Sequence, residues 1–194
     1  MPPLEERIAP ATSSRRHALL GVGAVVALGL VAAFLAWFLI VRANGDETSA
    51  APTAPSTAVP EIASLADLGA IADSGETFYW AGARSGTQIE LTATDGTVFI
   101  RYLPPGEPAG STTPALTVAT YPRANAFDEV SRAAEGEDAT ELELPGGGLA
   151  VAGETGGTNV HLAYPGQPYQ VEVYSPRAGE ALRLVANGTV GRYP

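Results

Sequence analysis

Residues Ala18 to Val41 carry no charged side chain. At ~1.5 Å of rise per residue, these 24 positions make about 36 Å of helix. The hydrocarbon core of a bilayer is roughly 30 Å thick, so such a helix spans it with some tilt. A secretory core of about 7–15 residues is much shorter. Ser14, Arg15 and Arg16 open a rival reading, because Ser-Arg-Arg starts a twin-arginine export signal. Against it, Ala18 stands where such signals carry an aromatic residue. Such signals also have a shorter, less apolar core, whereas Phe34, Trp37, Phe38, Leu39 and Ile40 make the far end of this run strongly apolar. The run is therefore read as an uncleaved signal-anchor, a single transmembrane helix over 18–41 whose partner is the lipid bilayer. Arg7, Arg15 and Arg16 precede it, while Arg42 alone follows, ahead of Asp46 and Glu47. That arginine excess puts the N-terminus in the cytoplasm and the C-terminal part outside the plasma membrane.

The rest of the chain divides around this segment. Residues 1–17 form a short cytoplasmic tail. Residues 42–60 are rich in Ala, Pro, Thr and Ser and read as a linker. Residues 61–194 form the extracytoplasmic domain, and 134 residues suffice for one self-sufficient core. Beyond Arg42 there are nineteen acidic residues and seven arginines, a net charge of −12. So acidic a domain is repelled by nucleic acid and by anionic lipid surfaces. Lysine is absent, which removes Schiff-base and phosphate-loop lysines. Cysteine is absent too, which removes disulfides, thiol catalysis and cysteine metal sites. Neither cofactor nor metal is expected.

Periodicity predicts an α+β domain: a mainly antiparallel sheet with about three helices. Ile62, Leu65 and Leu68 fall at helical spacing after Pro60, which would open the helix. TFYWAG, ending at Gly82, reads as a short aromatic strand. TQIELTATDGTVFIRYL reads as a hairpin turning at Asp95-Gly96. ALTVATY is a strand ended by Pro122, and Asn125 is expected to cap a helix through Glu135 with Phe127 and Val130 inward. TELEL and GLAVAG are strands joined by Pro145 and three glycines. NVHLAY and YQVEVY form a second hairpin around residues 165–168. Ser175 is expected to cap, and Pro176 to start, a last helix ending at Asn187-Gly188.

Two internal echoes suggest duplication of a strand-rich unit. Trp80–Leu103, moved by 71 positions, lands on Val151–Tyr174 without a gap, matching Ala81-Gly82 to Ala152-Gly153 and Gly86-Thr87 to Gly157-Thr158. PRANAF and PRAGEAL each follow a strand. Chance likeness between two hairpins of similar composition explains the first echo equally well. YWAG at Tyr79–Gly82, FIRYLPPG at Phe99–Gly106, TYP at Thr120–Pro122, the run Gly146–Gly148, and YPG with QVEVYSP at Tyr164–Pro176 resemble uncharacterised single-pass membrane-anchored bacterial proteins. That resemblance implies one N-terminal helix and one extracytoplasmic α+β domain. It brings no catalytic residues with it.

The residues that carry chemistry have ordinary structural roles to weigh first. His161 alternates with Val160 and Leu162 and is expected on the wetter face of its strand, without a second histidine for a metal. Glu141 and Glu143 share one face of TELEL, where Leu142 and Leu144 take the core, so they are expected in water. No catalytic residue stands out. Aromatics at strand ends are the more distinctive feature, since Tyr and Trp on a sheet edge can stack on sugars or peptides. Tyr79, Trp80, Tyr164 and Tyr169 are the candidate binding residues, all beside Gly or Pro turns. The function expected is a non-catalytic binding or interaction module of the cell envelope, engaging an envelope protein or a cell-wall component. The alternative is an extracytoplasmic hydrolase using carboxylates.

The topology has a direct check. Protease added to intact protoplasts should remove the domain and leave a short membrane stub. A protected domain would refute the orientation, and a soluble product starting after Arg42 would refute the anchor.

Overall fold

Alternating apolar residues build the first hairpin. β3 (Gln88–Thr94) and β4 (Thr97–Leu103) pair antiparallel, with Leu91 opposite Ile100 and Ala93 opposite Val98. Asp95 and Gly96 turn the chain at φ 48° and 74°, the two positive angles that suit right-twisted strands. The computed structural model describes residues 59–153 and 158–194. The anchor expected over 18–41, the tail 1–17 and nearly all of the linker 42–60 lie outside the described residues.

Around that hairpin the domain is α+β. Its further strands are β1 (Glu61–Ala63), β2 (Tyr79–Trp80), β5 (Leu116–Pro122), β6 (Thr140–Leu144), β7 (Gly148–Ala152), β8 (Asn159–Ala163), β9 (Tyr169–Tyr174) and β10 (Gly191–Arg192). Its helices are α1 (Leu65–Asp73), α2 (Ala126–Ala134) and α3 (Glu180–Ala186). Eight strands form one sheet in the order β1-β3-β4-β5-β9-β8-β7-β6. Every neighbouring pair in it is antiparallel. β2 and β10 pair separately.

One face of the sheet carries the main core: Leu91, Ile100, Val118, Val173 and Val160, covered by Leu68 of α1 and by Ala181 and Leu184 of α3. On the opposite face, Ala126 and Val130 of α2 pack on Val151 and Ala163. The outer strand β6 shows Glu141 and Glu143 to solvent, which discourages edge-to-edge pairing.

Three helix starts differ from expectation. Glu61–Ala63 extends along β3 as an edge strand, so Pro60 starts no helix. The helix begins after Ser64, whose Oγ accepts from Asp67 N–H while Asp67 Oδ2 accepts from Ser64 N–H. Ile62 and Leu65 stay exposed because the apparent helical spacing straddled a strand and a helix. Asn125 precedes α2 but makes no side-chain cap. Ser175 and Pro176 lie before α3 rather than in it: Ser175 is buried and donates to Glu180, and the helix starts after Gly179 at φ 72°.

The meander β3-β4-β5 leads into α2, and the meander β7-β8-β9 leads into α3. The 71-residue shift matches β3–β4 to β8–β9, whereas place in the sheet matches β4–β5 to β8–β9. The two helices lie on opposite faces, which a two-fold axis through the β5–β9 pair would not produce.

A buried ion pair holds the long β4–β5 connection. Glu90, side chain 2% exposed, meets Arg101 Nη1 at 2.5 Å across the hairpin. Its other oxygen accepts from Gly110 N–H at 2.6 Å, and Arg101 Nη2 donates to the carbonyls of Ser111 and Thr113. Removing Arg101 leaves the buried Glu90 carboxylate uncompensated, at a cost of about 3–5 kcal/mol. Arg101→Leu should therefore lower stability by that order in chemical unfolding, and the double change Glu90→Ala/Arg101→Leu should cost clearly less. Equal costs would show that the pair is not the clamp.

Candidate functional site

Two surfaces sit at opposite ends of the main core face, and one segment, residues 78–84, reaches both. β2 crosses above β5, where Tyr79 N–H donates to Thr120 Oγ1 at 2.9 Å. Ala81 N–H donates to Tyr102 Oη at 2.7 Å, on the neighbouring β4 and four register pairs further along the β4–β5 ladder.

At the first end the rings of Tyr79 and Tyr164 stack, with centroids 6.1 Å apart and planes 16° apart. Tyr164 directly follows β8, and its ring lies over Gly148: a Cβ there would sit 2.5 Å from the ring. The last glycine of the Gly146–Gly148 run is thus the seat of an aromatic side chain as well as part of a turn. Both tyrosines are half-buried. Burial raises both phenol pKa values, so the pair presents neutral amphipathic surface. Trp80 is turned toward Tyr193, 5.0 Å away, and Phe78 stacks on the same Tyr193. Tyr169 is half-buried opposite Pro122, without a ring partner among the described residues. Of the four sequence candidates the fold joins Tyr79 and Tyr164, sends Trp80 into a second cluster and leaves Tyr169 apart. Tyr193 had no sequence signal; the β10–β2 pairing brings it in.

At the second end is a pocket of about 210 Å³. Arg84, Arg177, Glu180, Thr87 and Tyr102 supply its polar wall, and Pro104, Pro114 and Leu116 its apolar one. Glu180 Oε1 takes Arg84 Nη2 at 3.2 Å and Arg177 Nη1 at 3.3 Å, with Arg183 Nη2 at 3.9 Å. Glu180 Oε2 accepts from the Ser175 hydroxyl at 2.6 Å. Burial pushes the Glu180 pKa up, but Ser175 and then Arg177, Arg84 and Arg183 outweigh it and hold the carboxyl below its usual range. Glu180 is thus a fixed anion, not a proton donor. Tyr102 is neutral, since burial pushes it up to about 12 against the lowering by Ala81 N–H and Arg84. No sequence spacing could have found this site, because Arg84 and Glu180 lie 96 residues apart. The one hint was scarcity: three of the seven arginines beyond Arg42 meet at a single carboxylate.

His161 faces away from the main core, as its alternation implied, but it is not solvated. It is half-buried beside Glu172, and Gln170 Nε2 donates to its Nδ1 at 3.1 Å. Glu172 also accepts from the Tyr121 hydroxyl and from Asn159 Nδ2. α2 roofs the neighbouring Val151 and Ala163, which keeps this strip out of bulk water. Glu141 and Glu143 stay in solvent, as expected.

Among the described residues, no helix is long and apolar enough to cross a membrane, and no group of three or more His, Asp or Glu is placed to hold a metal ion. No family model, no curated protein and no solved structure matches the chain.

Burial lowers the His161 pKa below the ordinary 6.5, opposed by Glu172 and aided by Arg123. Above pH 6.5 the imidazole is neutral in both folded and unfolded chains and has no effect on stability. Below it, the unfolded chain takes up the proton first, so stability falls. Between pH 7 and 5 the thermal midpoint of the natural protein should drop more than that of His161→Gln. Parallel curves would show that His161 titrates as an ordinary solvated histidine.

Proposed function

We propose that this chain is a membrane-anchored, extracytoplasmic binding module of the cell envelope. The charge-free run 18–41 and the arginines before it support the anchor and its orientation. The stacked Tyr79–Tyr164 pair carries the binding reading. Two neutral, half-buried rings at one end of a rigid sheet form a shallow platform suited to the face of a sugar ring or a peptide. The partner class is a cell-wall component or an envelope protein. The domain's net negative charge weighs against nucleic acid.

A carboxylate hydrolase is the weaker reading. Such chemistry pairs one carboxyl that holds a proton with one that is ionised. The carboxylate at the pocket, Glu180, is bonded through both oxygens and held ionised.

A stacking ring is worth about 0.5–1.5 kcal/mol beyond its area, so losing one should weaken a partner several-fold. Truncating a core aromatic costs about 3–5 kcal/mol of stability. Tyr79→Ala and Tyr164→Ala in the full chain should therefore weaken retention on wall fragments or envelope proteins while keeping most of the stability. Gly148→Ala should do the same, because a methyl there displaces Tyr164. If each tyrosine variant loses core-like stability and none changes retention, the platform is simply part of the core.

A further inference from the structure

The pocket at the other end of the core face has a charge that the rest of the domain does not. The chain beyond Arg42 is strongly acidic, yet the pocket is lined by Arg84 and Arg177 against Glu180 alone, a local excess of one positive charge, with Arg183 also approaching Glu180 from outside the lining. An ion pair that served only to pin α3 would need one arginine. Glu180 fixes the Arg84 guanidinium through one Nη2 contact and leaves its other N–H groups available at the pocket. Arg84 also lies over the Tyr102 ring, 5.9 Å from the centroid, which restricts its swing. Arg177 stands at the mouth, with its side chain 79% exposed against 26% for Arg84. Guanidinium groups held this way match the planar fork of a carboxylate.

The opposite wall is apolar. Pro104, Pro114 and Leu116 offer rigid, uncharged surface to the body of a ligand whose head meets the arginines. The volume of about 210 Å³ falls below the ~300–1,000 Å³ of pockets that take drug-sized molecules. There is room for a small acid or for the last residue of a longer chain.

We infer that this pocket binds a carboxylate carried on a small apolar body, either a free small acid or the C-terminal end of a peptide. Arg84 and Arg177 grip the carboxylate, and Glu180 acts as a positioning residue that holds both arginines. This inference does not depend on the aromatic platform.

N-acetylalanine is the probe, titrated calorimetrically into the full chain in detergent micelles. N-acetylalaninamide, an acetylated tripeptide ending in alanine, and inorganic phosphate are the comparison arms. The acid should bind saturably with a dissociation constant below about 10 mM, as expected for so few atoms. The amide should not bind, and phosphate should bind several-fold more weakly. Arg177→Ala should weaken the acid about tenfold, the loss expected for a charged hydrogen bond, at an unchanged thermal midpoint. Arg84→Gln should abolish binding, and Glu141→Gln, on the solvent-exposed edge strand, should leave it untouched. A tripeptide that binds at least as well identifies a peptide end, whereas its exclusion identifies a free acid. The inference is overturned if the acid does not bind saturably, if acid and amide bind alike, if phosphate matches the acid, or if Arg177→Ala binds as the natural chain does.

Discussion

A row of apolar side chains across the sheet centre supports everything else in this domain. Leu91, Ile100, Val118, Val173 and Val160 stand opposite one another in successive strand pairs, and none is more than 2% exposed. The joint in the row is Val118 against Val173, where β5 meets β9 across more than fifty residues of sequence. A slip of one residue at that joint would turn the apolar set of one meander onto the wrong face. Hydrophobic burial therefore sets the register between the two halves as well as their contact.

That register decides what lies on the other face. With Val118 and Val173 on the core side, Glu172 falls beside His161 and Tyr121 under the edge of α2. Polar groups placed there are out of bulk water and must be satisfied by one another. Tyr121 Oη and Asn159 Nδ2 donate to Glu172, and Gln170 Nε2 donates to His161, while Asn159 Oδ1 and Gln170 Oε1 are left without a partner among the described residues. Nearer the opposite edge, Glu90 and Arg101 solve the same problem by taking the 104–115 connection as partner. The polar interior is a consequence of the apolar register.

The two candidate surfaces depend on the segment that crosses the core face. Tyr79 is tied to Thr120 and Ala81 to Tyr102, so residues 78–84 lie across β4 and β5. One tether brings Tyr79 to Tyr164, and the other brings Arg84 to Glu180. The surfaces differ in chemistry. One is a pair of neutral, half-buried rings. The other is a pocket in which two arginines meet one carboxylate.

Much of this architecture was legible in the residues. Period-two alternation marked the strands of both hairpins, because a strand facing a core on one side must alternate. Asp95-Gly96 named its own turn, because few residues accept positive φ at both positions. The charge-free stretch 18–41 and the arginines around it are properties of composition, readable without coordinates. Helix starts were less legible. Ser175 looks like a cap, and its Oγ does accept from Arg177 N–H, but the helix starts only after Gly179; an exposed spacing of Ile62 with Leu65 imitated a helix face. The sites were least legible of all. Turns and alternation involve neighbours a few residues apart, so local sequence determines them. Tyr79 with Tyr164, Tyr193 with Trp80, and Arg84 with Glu180 meet only because the long-range β5–β9 and β2–β10 registers place them together. Burial of the whole apolar face selects those registers, and that energy is shared across all the strands instead of being written in any one of them.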